Sequence, residues 1–254
     1  MNTEKILLID SGNTRLKWAW LTAAGFEHAG SVAQAGLDLH AHAQSAWGTV
    51  AVPTRILVSN VAGDEFAARL SMCMQRLWKL EPEFIHAQAH AYGIVNAYAD
   101  PGKLGADRWL ALIAAHRHTP GAVCVVDCGT AVTIDTLTAE GAHSGGVILP
   151  GLRLMQRVLF EHTHQINDDM NQSTHPLTPF ARSTQIAVQN GTLYALIGAI
   201  ERATADAEAA LGAPVTRIIT GGDAARVLPH LAAHYRHAPD LVLQGLAVIA
   251  GGSP

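Results

Sequence analysis

The sequence has little charge and no excess of basic residues. Charged side chains make up 15% of its 254 residues, and 17 basic against 21 acidic side chains give a formal net charge of −4. This balance provides no general attraction for nucleic acid or for an anionic membrane surface. Long apolar runs are also missing. None approaches the roughly 20 residues that span a bilayer, and the stretch 6–9 is too short for a signal peptide. We therefore expect neither nucleic acid nor a membrane as a partner.

Cysteine is scarce as well. Cys73, Cys124 and Cys128 are an odd number of thiols in a chain long enough to fold without disulfide bonds. We expect all three to be reduced, which predicts a cytoplasmic location. The sequence also lacks a Gly-x-x-x-x-Gly-Lys-Ser/Thr string, which excludes a nucleotide site of the P-loop kind.

What the sequence does contain is a pattern that occurs twice. A short apolar run ends in Asp10, a polar turn follows, and apolar residues then alternate over 15–21. The same order recurs after an apolar run over 122–126, where Asp127 precedes a turn and alternation resumes over 132–136. Alternation of this kind predicts β-strands. The repeat therefore predicts two similar strand-turn-strand units.

The breaker Thr119-Pro120-Gly121 lies between the two copies. Together with the length and the 49% hydrophobic content, it predicts two α/β domains, residues 1–118 and 119–254. Periodicity predicts further strands over 55–59, 83–86, 147–149 and 217–220, and helices over 64–80, 106–118 and about 183–210.

The first turn carries groups that suit a phosphate. It reads Asp10-Ser11-Gly12-Asn13-Thr14, and Lys17 follows three positions later. A glycine between two strands lets backbone amides approach a phosphate, and an aspartate at a strand end can bind Mg²⁺. Tight hairpin turns favour the same residue types, so an ordinary hairpin is an equal alternative for this motif alone.

The second turn, Asp127-Cys128-Gly129-Thr130-Ala131, repeats the aspartate, glycine and threonine of the first. A chance hairpin need not recur in this way. Two such turns facing each other would hold one triphosphate, and Gly221-Gly222 after a third apolar strand offers bare backbone for adenine or ribose. The pair of turns therefore predicts a nucleotide site.

A third string, Gly105-Ala106-Asp107-Arg108, opens the predicted helix over 106–118. A carboxylate at a helix N-terminus can accept a hydroxyl proton while a neighbouring guanidinium stabilises an anion. The alternative is simple helix capping by Asp107, with Arg108 at the surface.

These strings together resemble the type III pantothenate kinases, which belong to the superfamily of actin-like, sugar-kinase-like and chaperone-type ATPases. The motifs occur in the family's order and cover nearly the whole chain. They are Asp10-Ser11-Gly12-Asn13-Thr14 to Lys17, Tyr98 through Leu104-Gly105-Ala106-Asp107-Arg108, Asp127-Cys128-Gly129-Thr130-Ala131, Gly145-Gly146-Val147-Ile148-Leu149-Pro150-Gly151, Ser183-Thr184 and Thr220-Gly221-Gly222.

The resemblance implies two similar actin-like (ribonuclease H-like) domains with the active-site cleft between them. It implies ATP-dependent phosphorylation of pantothenate to 4′-phosphopantothenate, the first step of coenzyme A biosynthesis. ATP with Mg²⁺ would be the phosphoryl donor, and a monovalent cation, K⁺ or NH₄⁺, would be required. The active site would lie at the subunit interface of a homodimer.

The same resemblance implies a role for individual residues. Asp107 would be the catalytic base, Asp127 would bind the monovalent cation, and Asp10 would lie near Mg²⁺. The implied ATP-binding residues are Asp10, Ser11, Gly12, Asn13, Thr14, Arg15, Leu16, Lys17 and Thr130. The implied substrate-binding residues are Tyr98, Gly105, Ala106, Asp107, Arg108 and Thr184 of the partner subunit.

One departure from the family pattern is Asp100, which precedes Pro101 where an asparagine is more usual. We expect a slightly different entry to the pocket there. Two alternatives stay open: a kinase of the same superfamily that acts on another small hydroxyl or carboxylate acceptor, and a nucleotide-binding regulatory protein without catalysis.

Overall fold

The computed structural model describes residues 5–162 and 176–251. Within these ranges, no helix is both long enough and apolar enough to span a bilayer. The chain forms two compact units. The first comprises Met1–Pro120, Ala139–His143 and Asp240–Pro254, and the second comprises Gly121–Thr138 and Ser144–Pro239. The domain bounds 1–118 and 119–254, and an active-site cleft between the domains, stay predictions.

The first unit is built on a five-stranded sheet. Its elements in chain order are β1 (Ile6–Ser11), β2 (Arg15–Thr22), β3 (Gly25–Ala33), α1 (Leu39–Ala46), β4 (Arg55–Asn60), α2 (Asp64–Trp78), β5 (Glu83–Phe84), β6 (His90–Ala91), β7 (Ile94–Val95) and α3 (Ala106–His118). The strand order is β3-β2-β1-β4-β5, and β6 and β7 form a separate two-stranded sheet. Strand β1 is antiparallel to β2 and parallel to β4.

The second unit repeats this arrangement. Its elements are β8 (Val123–Cys128), β9 (Ala131–Leu137), β10 (His143–Pro150, whose first residue belongs to the first unit), α4 (Leu152–Glu161), α5 (Thr184–Leu211), β11 (Thr216–Thr220), α6 (Ala224–Val227) and β12 (Arg236–His237). The strand order β10-β9-β8-β11-β12 matches that of the first sheet position by position. Strand β8 is antiparallel to β9 and parallel to β11, as β1 is to β2 and β4. The predicted pair of similar α/β domains is thus confirmed.

One face of the first sheet forms a hydrophobic core with α1 and α2. Leu7 and Ile9 of β1 point into this core beside the fully buried Trp20 and Trp47. Because successive side chains of a strand point to opposite faces, Asp10 points the other way. On that other face, the last helix, α7 (Leu241–Ile249), contacts β1 and β4 and packs along α3.

Candidate active site

Asp10 lies at the carboxyl end of β1, the central strand of the first sheet. It pairs in register with Lys17 on β2 and with Ser59 on β4. Desolvation raises the pKa of Asp10 to about 6; the charge of Lys17 lowers this pKa, the charge of Asp107 raises it, and the Ser59 hydroxyl lowers it. A carboxylate, an ammonium group, a buried hydroxyl and a second carboxylate therefore meet at this strand end.

The turn after Asp10 is closed by a backbone hydrogen bond from the Gly12 N–H to the Arg15 carbonyl, at 3.1 Å. Its exposed members are Asn13, Thr14 and Arg15. The side chains of Ser11 and Leu16 are fully buried. Of the predicted ATP-binding residues, these two can therefore offer a ligand only their backbone.

Asp107 lies in the first turn of α3. Its Oδ1 accepts a hydrogen bond from the Arg108 backbone N–H at 2.7 Å. Its charge raises the pKa of Asp10, so the two carboxyl groups are within range of an electrostatic interaction. Gly105 is the N-cap of the helix, and Ala106 is almost fully buried. The start of α3 thus directs a carboxylate toward the first turn.

Arg108 is buried rather than at the surface, with 7% of its area exposed. The alternative of a surface arginine is therefore wrong. Its Nη1 donates a hydrogen bond to the Tyr98 hydroxyl at 2.8 Å, and its guanidinium lies 5.6 Å from the centre of the Tyr98 ring. His143 stacks on the same ring, with the two ring centres 6.2 Å apart and an angle of 17° between the ring planes. Sequence analysis predicted Tyr98 and Arg108 but missed His143.

The segment before α3 is held by side-chain hydrogen bonds. The Asn96 amide donates to the carbonyls of Gln88 and Pro101, and its Oδ1 accepts from the Tyr98 N–H. The Asp100 Oδ1 accepts from the Gly102 N–H at 3.2 Å. An asparagine Oδ1 would accept the same bond, so this departure from the family pattern keeps the local turn.

Asp127 occupies the place in the second sheet that Asp10 occupies in the first. It pairs in register with Thr133 on β9 and with Thr220 on β11. The following turn is closed by a hydrogen bond from the Gly129 N–H to the Ala131 carbonyl, at 3.0 Å. Thr130, at the tip of this turn, is exposed.

Gly221 follows β11 and lies beside this second turn. Its φ of +95° is a conformation that L side chains rarely adopt, and a Cβ here would overlap Asp127 Oδ1 and the Cys128 backbone. Burial raises the pKa of the Cys128 thiol to about 12, with further contributions from Asp127 and Asp223. The thiol therefore stays protonated and supplies no nucleophile.

Thr184 is the first residue of α5 and is exposed. It lines a groove of about 710 Å³ between α4 and α5 whose walls are almost entirely apolar. Val158 and Leu159 of α4 border the groove and are 43% and 39% exposed. Exposed apolar patches of this kind are typical of interaction surfaces.

The chain matches the model of the family described as type III pantothenate kinase over residues 6–206. A type III pantothenate kinase from Nitrosococcus oceani is 40% identical over 250 residues, which cover 96% of this chain and 93% of the relative. The chain belongs to the type III pantothenate kinase family. The resemblance that the motifs indicate is thus confirmed.

Solved structures show the same fold at low sequence identity. A Campylobacter jejuni protein, whose assignment as a Baf family transcriptional activator is provisional, matches with a TM-score of 0.60 and 20% identity over 96% of this chain and 97% of its own. A glucokinase from an Antarctic psychrotroph matches with a TM-score of 0.50 and 14% identity over 98% and 99% of the two chains. The predicted actin-like, ribonuclease H-like fold is confirmed.

Sequence patterns did not predict three side chains that support the candidate site. They are His143, which stacks on Tyr98, Ser59, which lies beside Asp10, and Gln34, which binds the first turn. Each is distant in sequence from the residue that it supports. Strand pairing brings Ser59 and Gln34 to their partners, whereas Tyr98 lies outside the strands and meets His143 only in the folded chain. No local signal in the sequence could have identified them.

Proposed function

We propose that this chain transfers the γ-phosphate of ATP to the primary hydroxyl of pantothenate and so makes 4′-phosphopantothenate, the first step of coenzyme A biosynthesis. Membership of the type III pantothenate kinase family supports this reaction. The structural observation that carries it is the closeness of Asp107, at the start of α3, to Asp10 in the first turn. A base for the acceptor hydroxyl and a group for the nucleotide phosphates would thus lie within electrostatic range of each other.

In this proposal Asp107 is the general base. Its carboxylate accepts the proton of the pantothenate hydroxyl as that oxygen attacks the γ-phosphorus, the bond from phosphorus to the β,γ-bridging oxygen breaks, and ADP leaves. Phosphoryl transfer depends mainly on alignment of the two oxygens and on neutralised charge. A base with a strongly raised pKa is therefore not required.

The substrate pocket in this proposal is formed by Tyr98, Gly105, Ala106 and Arg108. The buried guanidinium of Arg108, fixed by its bond to the Tyr98 hydroxyl, supplies positive charge for an anionic substrate such as pantothenate. Because the guanidinium is already held, little conformational entropy is lost when the substrate binds.

ATP would be held by residues 10–17 of the first turn and by Thr130 of the second. The exposed backbone of the first turn and the nearby Lys17 suit phosphate oxygens. The desolvated carboxylate of Asp10 fits Mg²⁺, which takes oxygen ligands together with substrate phosphates. When bound, Mg²⁺ neutralises charge on the phosphates.

Asp127 would hold the monovalent cation, K⁺ or NH₄⁺. Its two register partners are threonines, which place hydroxyl-bearing side chains beside this strand end. Such a donor set fits a hard cation. Gly221 keeps the space beside the carboxylate open, because any side chain there would overlap Asp127.

We further propose a homodimer in which Thr184 of the partner subunit completes the substrate pocket. The exposed apolar groove that begins at Thr184 supports a second copy of this chain as its occupant. Co-expression of Asp107→Asn and Thr184→Ala subunits tests this. Each heterodimer would have one site with both defects and one with neither, so about a quarter of wild-type activity should return. No activity above that of the separate variants would contradict a contribution from the partner.

The reaction itself is tested by ADP release measured with a panel of acceptors: pantothenate, simple sugars and small carboxylates. Turnover should require pantothenate. Turnover with a sugar or a carboxylate but not with pantothenate would favour a different acceptor. Nucleotide binding without turnover on any acceptor would favour a regulatory protein.

A further inference from the structure

Gln34 follows β3 and folds back onto the first turn. Its backbone N–H donates to the Thr14 carbonyl at 2.9 Å. Its side-chain Nε2 donates to the Ser11 hydroxyl oxygen at 3.1 Å and also to the Gly12 carbonyl. One residue thus binds the turn at its start, at its glycine and near its end.

The orientation of this amide is fixed by chemistry. A backbone carbonyl only accepts hydrogen bonds, so the Gln34 nitrogen rather than its oxygen must face Gly12. The Ser11 hydroxyl is fully buried and accepts from the same nitrogen. The amide therefore holds the Gly12 carbonyl on the inner side of the turn.

A carbonyl held inward determines where the next N–H points. In a trans peptide, the C=O of one residue and the N–H of the next lie on opposite sides of the chain. With the Gly12 carbonyl turned toward Gln34, the N–H of Asn13 points away from it, toward the side of the turn where Asn13 and Thr14 are exposed. An N–H in this position is suited to bind a phosphate oxygen.

The second unit has the backbone part of this arrangement without the side chain. Gly151 follows β10 as Gln34 follows β3, and its N–H donates to the Thr130 carbonyl, also at 2.9 Å. A Cβ at this glycine would overlap the carbonyls of Gly129 and Thr130. The backbone bond is common to both units, whereas Gly151 has no side chain that could supply the amide that Gln34 supplies in the first.

We propose that Gln34 is a positioning residue for nucleotide binding: its side-chain amide fixes the Gly12–Asn13 peptide so that the Asn13 N–H faces the phosphates. This rests on the proposed function, in which the first turn binds ATP.

The test uses two variants and a control. Gln34→Met keeps the volume but removes the donor, and Gln34→Glu also places a carboxylate against the Gly12 carbonyl. Gln75→Met makes the same replacement at an exposed position of α2 and is the control. Binding of Mg-ATP and of ADP is measured by calorimetry, and the KM values for ATP and pantothenate are measured separately.

We expect Gln34→Met to weaken Mg-ATP binding and to raise the KM for ATP about tenfold, the effect of losing one or two hydrogen bonds. Gln34→Glu should have a larger effect because its charge repels the phosphates. The KM for pantothenate and the thermal midpoint should stay near those of the wild type, as they should for Gln75→Met.

Wild-type affinity for Mg-ATP in Gln34→Met, or a KM for pantothenate that rises in parallel with the KM for ATP, would overturn the role of Gln34. A wild-type protein that binds no Mg-ATP would also overturn the role of Gln34. A wild-type protein that binds Mg-ATP without phosphorylating pantothenate would instead overturn the proposed function, and the calorimetric comparison of the Gln34 variants would still decide this inference.

Discussion

The two strand-end aspartates occupy the same place in two copies of one sheet, but their neighbours differ. Asp10 is flanked by Lys17 and Ser59, whereas Asp127 is flanked by Thr133 and Thr220. One fold therefore places a carboxylate beside a cation in the first unit and among hydroxyls in the second. We propose on this basis that the two copies of the sheet bind different ligands, and that the strands beside each aspartate make the difference.

The turns also differ in length. In the first unit four residues separate the last paired positions, Ser11 and Leu16, and in the second unit three residues separate Cys128 and Val132. The longer first turn leaves room for the Gln34 side chain beneath it. The shorter second turn requires a glycine, Gly151, at the corresponding place. Turn length thus decides which unit can use a side chain to support its turn.

The largest expected effect comes from the carboxylate at the start of α3. Asp107→Asn should lower kcat by roughly 10²- to 10⁴-fold, because it removes the proton acceptor while it preserves the volume. Mg-ATP affinity should change little, as measured by calorimetry. Asp64→Asn makes the same change in the first turn of α2 and should have wild-type kcat. Unchanged turnover in Asp107→Asn would remove this residue from the mechanism.

A second variant makes the second unit resemble the first. Thr133→Lys would place an ammonium group beside Asp127, as Lys17 lies beside Asp10. We expect activation by K⁺ to fall about tenfold, because the fixed ammonium satisfies the carboxylate that would bind the ion. Activity is measured against KCl concentration, with Thr216→Lys at an exposed strand end as the control. Full K⁺ activation in Thr133→Lys would show that the ion binds elsewhere.

The raised pKa of Asp10 predicts a dependence of stability on pH. A carboxyl with a folded-state pKa of about 6, against an ordinary value of 3.8, binds its proton more tightly in the folded state. The folded wild type is therefore destabilised relative to Asp10→Asn as the pH rises from 4 to 6, by roughly 1–3 kcal/mol above pH 6. Urea unfolding at several pH values measures this. A difference that does not change with pH would contradict desolvation of Asp10.

The smallest effect is expected at the stacked pair. His143→Ala should raise the KM for pantothenate about three- to tenfold, because the Tyr98 ring loses the surface on which it stacks. His143→Phe keeps a ring and should restore most of the affinity, while kcat and the KM for ATP stay near wild type. Equal losses in both variants would show that stacking is not the contribution of His143.

Much of the fold could be predicted from the sequence because its elements have strong local signals. The predicted helix over 106–118 has the observed bounds, since a glycine precedes it and a Thr-Pro-Gly breaker follows it. Strand β3 and helix α1 were missed. Much of β3 is exposed and lacks clear alternation, and α1 has only eight residues. Edge strands and short helices depend on packing for their stability, and sequence patterns alone do not show this packing.

The candidate site was predictable to the extent that its residues lie in contiguous motifs. Asp10 and Asp127 lie at predicted strand ends, and Asp107 lies at the start of a predicted helix. The residue types around each aspartate indicate what it could bind. The depth of Ser11 and Leu16 in the core was not predicted, because an eight-residue motif does not indicate which of its side chains face a ligand. Strand alternation decides this, and the exact start of each strand determines the alternation.

The packing of α7 on α3 has a consequence for how the protein is made. The helix that carries Asp107 is covered by a segment that leaves the ribosome only after the whole second unit, a delay on the order of ten seconds at usual rates of synthesis. Until α7 has been synthesised, the face of the first sheet opposite α1 and α2 is not completely buried. A nascent chain stopped before residue 240 should consequently depend on chaperones, although its first 120 residues are already complete.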